Sequence, residues 1–186
     1  GQFSFLGLMN ATVLEFSADG YVFENSKVVI YKEVSNLIIK AEKAYMLTGR
    51  VVSNGIGVAG AKVEVKGLVN LSVTTDSQGD FEVEVAGQTQ IKTTKDGFVF
   101  EDKIVTIDSP SVVISGTTNI TATMIGLGEG DTPVLRVGEE EMSLANGVYT
   151  SQNVKLGSVI TPILAGYHFE PTSHTVLMEN EQISFT

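Results

Sequence analysis

The sequence predicts an all-β protein built as tandem β-sandwich modules, and three observations predict it. The first is a pattern that occurs three times, Gly-x-aromatic followed about nineteen residues later by Gly-aromatic-x-Phe-acidic. The copies are Gly1-Gln2-Phe3 with Gly20-Tyr21-Val22-Phe23-Glu24, Gly79-Asp80-Phe81 with Gly97-Phe98-Val99-Phe100-Glu101, and Gly147-Val148-Tyr149 with Gly166-Tyr167-His168-Phe169-Glu170. A recurring pattern of this kind marks an array of similar units. The second is strict alternation of acidic and apolar residues in Asp80-Phe81-Glu82-Val83-Glu84-Val85, a period of two that places Phe81, Val83 and Val85 on a buried face and Glu82 and Glu84 in water. The third is turn chemistry at short intervals, including Ser53-Asn54-Gly55, Asp76-Ser77-Gln78-Gly79 and Ala145-Asn146-Gly147. Short strands so punctuated indicate a sandwich or barrel, and no stretch sustains a helical period.

Taken in order, residues 1–45 form a partial first unit. Phe3-Ser4-Phe5 alternates weakly, Val28-Val29-Ile30 comes after the Gly20 corner, and a closing strand is expected to start near Asn36-Leu37-Ile38. Only later strands are present, so backbone groups along Phe3–Phe5 or 28–30 are expected to lack partners. With Phe3, Phe5, Leu6 and Leu8 as an apolar patch, this truncated unit is expected to associate with another copy. Ala41-Glu42-Lys43-Ala44 reads as a linker.

Residues 46–125 form the most complete unit. Alternation recurs in Lys62-Val63-Glu64-Val65, and Ile104-Val105-Thr106-Ile107 comes after the corner. Its closing strand is expected from Asn119-Ile120-Thr121, which implies a six-residue insertion around Asp108-Ser109-Pro110 relative to the other copies. Residues 126–186 form a short third unit, opening at Pro133-Val134-Leu135-Arg136-Val137 and ending through Val176-Leu177-Met178 and Gln182-Ile183-Ser184.

Leu47-Thr48-Gly49-Arg50-Val51-Val52, then Gly57-Val58-Ala59-Gly60-Ala61-Lys62-Val63-Glu64-Val65, then Thr75-Asp76-Ser77-Gln78-Gly79-Asp80-Phe81 resembles the carboxypeptidase regulatory-like domain family over about residues 46–125. The resemblance implies a seven-stranded prealbumin-like (Ig-like) sandwich, kin of collagen-adhesin B-type modules and of carbohydrate-binding-like folds. It also implies a repeated module of cell-surface proteins, and the tail of the third unit, Gly166 to Val176, looks like such a tandem module too.

The chain has 186 residues, 42% hydrophobic, with 12 Lys+Arg against 22 Asp+Glu and a net charge of −10. An acidic chain offers no basic face to nucleic acid or to an anionic membrane. No apolar run reaches the ~18 residues of a membrane span, so no membrane insertion by this segment is expected. The start does not resemble a signal peptide and the pattern begins in mid-copy, so residue 1 is expected to lie inside a longer precursor. Cysteine is absent, which removes disulfides, thiolate metal sites and cysteine nucleophiles. Sequons at Asn10, Asn70 and Asn119 are compatible with export.

Candidate sites give no catalytic, cofactor or metal residue. The aromatic pairs Tyr21/Phe23, Phe98/Phe100 and Tyr167/Phe169 lie two apart on one strand face; a sugar platform would use such a pair, but recurrence in every unit indicates a core. Glu129/Asp131, Glu139-Glu140-Glu141 and Asp76/Asp80 lack the spacing of a calcium loop. His168 with Glu170 is only two ligands, where a structural zinc site needs about four. Ser173 adjoins His174, but strand neighbours face opposite sides, and no Gly-x-Ser-x-Gly elbow is present. A Lys–Asn isopeptide bond, which collagen-adhesin relatives can carry, meets Arg50 at the position of the attacking lysine; Lys62 and Asn119 both occur in unit two, but Lys62 lies on an outward face, so the bond is not expected.

The expected function is a non-enzymatic spacer or adhesive stalk in an exported, extracellular or cell-surface protein. Its partners are neighbouring modules of a longer chain and an extracellular protein or glycan. The alternatives are a glycan-binding accessory module of a secreted carbohydrate-active enzyme, or a lumenal repeat segment of a nodal-modulator-like membrane protein.

Overall fold

A computed structural model describes residues 2–7, 10–34 and 36–186. Gly1, with which the first copy of the repeat begins, and Leu8, assigned to the apolar patch, lie outside the described residues. The described chain is all-β.

Unit one contributes β1 (Thr12–Glu15), β2 (Tyr21–Phe23) and β3 (Lys27–Ile30). A long strand comes next, β4 (Ala41–Ser53). Unit two adds β5 (Ile56–Gly57), β6 (Lys62–Lys66), β7 (Asn70–Thr74), β8 (Asp80–Ala86), β9 (Thr89–Thr94), β10 (Phe98–Phe100) and β11 (Lys103–Val105). A second long strand is β12 (Ser111–Met124). Unit three adds β13 (Val134–Val137), β14 (Glu140–Glu141), β15 (Ser143–Ala145), β16 (Val148–Val154), β17 (Val159–Ile163), β18 (His174–Thr175) and β19 (Gln182–Phe185).

Unit two is a sandwich of two four-stranded layers, β10-β12-β4-β8 and β11-β9-β6-β7, with the two-residue β5 beside β4. The implied seven-stranded module thus gains a strand. Alternation in β8 and β6 buries Phe81, Val85, Val63 and Val65, half-buries Val83, and leaves Glu82 and Glu84 in solvent, as read from the sequence. These side chains, with Leu47, Val51, Ile91 and Ile114, fill the space between the layers. Unit three repeats the plan: β14-β13-β17-β18 has the order of β7-β6-β9-β11, and the facing layer is β15-β16-β12-β19. Leu135, Tyr149, Ile160, Val176 and Phe185 form its core.

The turn motif of unit two has a physical basis. Asp76 Oδ1 accepts the backbone N–H groups of Gln78 at 2.8 Å and Asp80 at 2.9 Å, while Gly79 sits at φ +82°, a region that disfavours side chains. A Cβ on Gly57 would lie 2.0 Å from the Gln78 carbonyl oxygen, so this glycine lets the two loops touch. Buried Thr75 ties them, its hydroxyl donating to the Val58 carbonyl at 2.7 Å and accepting from the Ala61 N–H at 2.8 Å. The hydrogen bonds from Asp80 and Gln78 hold the Asp76 carboxyl below its ordinary pKa. A folded-state pKa below the unfolded value of about 3.9 gives stability that is present above that pH and lost as pH falls through the folded value. Asp76→Asn should therefore flatten the decline of unit-two stability below about pH 4; urea melts from pH 2 to 7 check this, and an unchanged slope refutes it.

Thr93 Oγ1 is buried with no hydrogen-bond partner among the described residues. An unsatisfied buried hydroxyl costs about 1–3 kcal/mol, so the isosteric Thr93→Val is expected to raise stability by about 1 kcal/mol in chemical unfolding.

Several expectations are corrected. Ala41–Ala44 is not a linker but the start of β4, paired with β2 through Tyr21↔Lys43 and Phe23↔Ala41. The closing strands begin at Ala41 and Ser111 rather than near Asn36 and Asn119, so copy two carries no six-residue insertion before its closing strand. Tyr21 pairs with Lys43, 22 residues on, whereas Phe98 pairs with Thr118, 20 residues on. Polar residues of a closing strand, such as Thr117 and Asn119, face outward and so resemble a turn in sequence. The 28–30 segment is paired with β1 through Val29↔Val13 and Val28↔Leu14. Residues 2–7 form no strand, and Val176–Met178 is not a strand.

Candidate functional site: the joint between units

Two strands each serve two units. β4 first closes unit one against β2 and then opens unit two, pairing with β8 from Ala44↔Ala86 to Arg50↔Asp80. β12 runs parallel to β4 over Ser111–Ser115 and takes β10 over Gly116–Thr118, closing unit two. It then pairs with β16 from Thr118 to Thr123 and with β19 over Thr121–Met124, opening unit three. At roughly 3.3 Å per residue, 13 and 14 residues make continuous rods of about 43 and 46 Å. The boundaries expected at 45/46 and 125/126 fall inside β4 and at the end of β12.

Side chains reinforce the second joint. Phe98 packs against the cores of both unit two and unit three. Its ring stacks on Phe100 at 5.7 Å and 22°, and the Lys95 ammonium sits 5.6 Å from its centroid. Lys95 also reaches Glu179 at 3.6 Å, an ion pair with both side chains about one-third exposed or less. Fully buried Ser53, at the end of β4, accepts the Leu156 N–H of unit three at 3.0 Å, and fully buried Thr118 accepts the Asn180 N–H at 3.0 Å. Phe100 lies flat over Gly116, where a Cβ would come within 2.3 Å of the ring, and Phe81 covers Gly49 in the same way.

The aromatic pairs therefore divide. Phe98, Phe100 and Phe23 are half-buried and Phe169 is buried, but Tyr21 and Tyr167 are 52% and 41% exposed, contrary to the expectation of a core. Phe98 differs from Tyr21 and Tyr167 in packing against the cores of two units. Tyr167 stacks on Phe169 and its hydroxyl donates to Asp131 Oδ2, which holds the phenol above its ordinary pKa. The Gly-x-aromatic residues behave likewise: Phe81 and Tyr149 are buried, Tyr149 donating to the Pro133 carbonyl at 2.6 Å, while Phe3 is exposed against Phe5 and Phe16.

The other candidates are dispersed. Asp76 caps its turn, Asp80 meets Arg50 at 3.5 Å, Glu141 pairs with Arg136 at 2.8 Å, and Glu129, Glu139 and Glu140 are exposed. His168, Glu170 and Ser173 are exposed, and among the described residues no three His, Asp or Glu side chains gather as metal ligands. His174 instead meets Glu181 at 2.8 Å, whose other oxygen accepts the Leu177 N–H at 3.0 Å. Burial pushes the Glu181 carboxyl up, and these two hydrogen bonds more than offset it, leaving its pKa lowered. Arg50 Nε donates to the Gln78 carbonyl, Lys62 is held by Glu64, and Asn119 is exposed on β12 in the opposite layer. An intact mass equal to the sequence mass is the expected result; a deficit of one ammonia would reveal an isopeptide bond. The sequon residues Asn10, Asn70 and Asn119 are all exposed.

No family model matches the chain, and no curated protein does. Among solved structures, the chain is similar to the Bacillus anthracis TIE protein at 14% identity and a TM-score of 0.38, covering 85% of this chain and 37% of that one. It is also similar to the shaft pilin SpaA from Lactobacillus rhamnosus GG, at 7% identity and a TM-score of 0.31 over 77% of this chain and 96% of that one. The chain thus spans little more than a third of the first of these.

Sequence reading missed the joint. Ser53 and Thr118 look like surface hydroxyls, and no local pattern marks a strand that changes partners halfway. The only available signal was the dearth of Gly or Pro between 41 and 48 and between 117 and 125.

Proposed function

We propose that this chain is a non-enzymatic, load-bearing spacer: a run of prealbumin-like modules, carboxypeptidase regulatory-like in unit two, within an exported cell-surface protein. The observation that carries this reading is strand sharing. A joint made of one continuous, doubly paired strand resists bending because a bend would break ladder hydrogen bonds of two units at once, and a flexible peptide linker has no such cost. Phe98 and the buried Ser53 and Thr118 bonds add a second layer of resistance. The platform in unit two that a glycan-binding module would need is spent on packing, which favours the spacer over that alternative.

The absence of cysteine allows a direct test. Spin labels at Ile104→Cys in unit two and Leu177→Cys in unit three, both at well-exposed positions, should give one narrow distance distribution. A broad distribution, as a hinge would produce, would refute the spacer reading.

A further inference from the structure

Two loops of unit three reach back to unit two. In the loop from β16 to β17, the Leu156 N–H is bonded to Ser53, and Gly157 lies against Asn54, whose amide nitrogen would be 3.4 Å from a Cβ there. The loop from β18 to β19 meets the Lys95–Phe98 corner: Glu179 faces Lys95, the Asn180 N–H reaches the Thr118 hydroxyl, and a Cβ on Gly97 would come within 2.7 Å of both Glu179 and Asn180. An open groove of ≈ 550 Å³, with Lys95, Asp96, Phe98 and Glu179 in its walls, runs along this second contact, so water reaches its edge.

A single carboxylate shapes that loop. Glu181, whose side chain is mostly buried, accepts from His174 Nε2 through one oxygen at 2.8 Å and from the Leu177 N–H through the other at 3.0 Å. An imidazolium has no acceptor nitrogen, so a protonated Glu181 between His174 and a backbone N–H sets one donor against another and loses a hydrogen bond. We propose that Glu181 is an acid-operated latch on the joint: ionised, it holds the β18–β19 loop against the Lys95–Phe98 corner, and neutral, it lets that contact open so that unit three swings about β12. The inference rests on the spacer reading, since it assigns a release to a joint that is otherwise stiff.

The charges around the latch are few. His174 on β18 is the titratable side chain that acts on Glu181, while Lys95, Asp96 and Glu179 lie at the contact itself. The neighbouring strands bring uncharged residues: Thr121 of β12, bonded to the Glu181 carbonyl, Gln182 of β19, and Ile160 of β17 opposite His174. Burial raises the Glu181 carboxyl and its hydrogen bonds lower it further, to a net position below its ordinary value. The latch is therefore closed above the unfolded value of about 4.3 and opens as pH falls through the folded one. Loss of the Glu179 charge would weaken the Lys95 contact in the same direction, and a Glu181 variant at neutral pH separates the two.

Spin labels at Ile104→Cys and Ile163→Cys, both exposed and outside the loop, report on the joint. The distance distribution should be narrow at pH 7 and should broaden by about pH 3.5 while amides in both cores stay protected from hydrogen exchange. Glu181→Gln, whose amide likewise places a donor against a donor, should be broad already at pH 7. Its Leu177 and Asn180 amides should lose protection on the order of tenfold or more. The acid series needs no substitution at Glu181 and the variant needs no acid, so each stands if the other unfolds a unit. A distribution already broad at pH 7 in the labelled chain with Glu181 intact would refute the spacer reading itself. One that is narrow there and stays narrow in acid or in Glu181→Gln, with both units folded, would overturn the latch alone.

Discussion

Phe98→Ala is expected to destabilise unit two and unit three together and to split their unfolding into two transitions. Truncating a buried phenylalanine costs about 3–5 kcal/mol through lost transfer and the cavity left behind, and the half-buried ring of Phe98 places it nearer 2–4 kcal/mol. The loss is shared because the ring touches both cores, and Lys95 loses the ring face that it overlies while keeping Glu179. Phe100→Ala, whose ring packs on the core of unit two, on Gly116 and on Phe98 but not on the core of unit three, should cost a similar amount with most of the loss in unit two. Val99→Ala, at a 58% exposed position between them, should be nearly neutral. Urea unfolding monitored by hydrogen exchange resolved to each unit gives the answer. Loss confined to one unit for Phe98→Ala would show that the ring is not a coupling element.

Thr75→Val should cost about 2–4 kcal/mol although it preserves shape. The substitution leaves the Val58 carbonyl and the Ala61 N–H buried without partners, and each such group costs about 1–3 kcal/mol. The loop from β5 to β6 loses its two hydroxyl ties and keeps its backbone bonds, Gly60 N–H to the Thr75 carbonyl and Thr75 N–H to the Ala61 carbonyl, so proteolysis between 57 and 61 should accelerate only modestly. Thr75→Ser keeps the hydroxyl and removes one methyl, for about 1 kcal/mol. If valine and serine variants were equally stable, the hydroxyl would not be what holds the loops.

These two residues mark the two kinds of legibility in this chain. Thr75 belongs to a motif that could be read in sequence, because its neighbours Asp76 and Gly79 are turn formers whose conformational reasons are local. The role of its hydroxyl could not be read, since Val58 and Ala61 lie 17 and 14 residues away. Phe98 was read as core, and the structure makes it the core of two units at once. Tyr21 and Tyr167, read in the same way from the same pattern, are 52% and 41% exposed, because the pattern fixes which strand face a ring takes and not what packs over it.

By itself the sequence determined that the protein is all-β, that it is an array of like units, and which face of β6 and β8 is buried. Alternation and turn chemistry operate within a few residues, where side-chain direction is fixed by the pleat. Only the tertiary structure decided where one unit ends and the next begins. Strand pairing is a choice of partner across the chain, and nothing in Ala41–Ser53 or Ser111–Met124 distinguishes a strand that stays with one sheet from one that passes to the next. Their backbone N–H and C=O groups would be satisfied equally by either, and at β12 the packing of Phe98, Ser53 and Thr118 against unit three favours the shared arrangement.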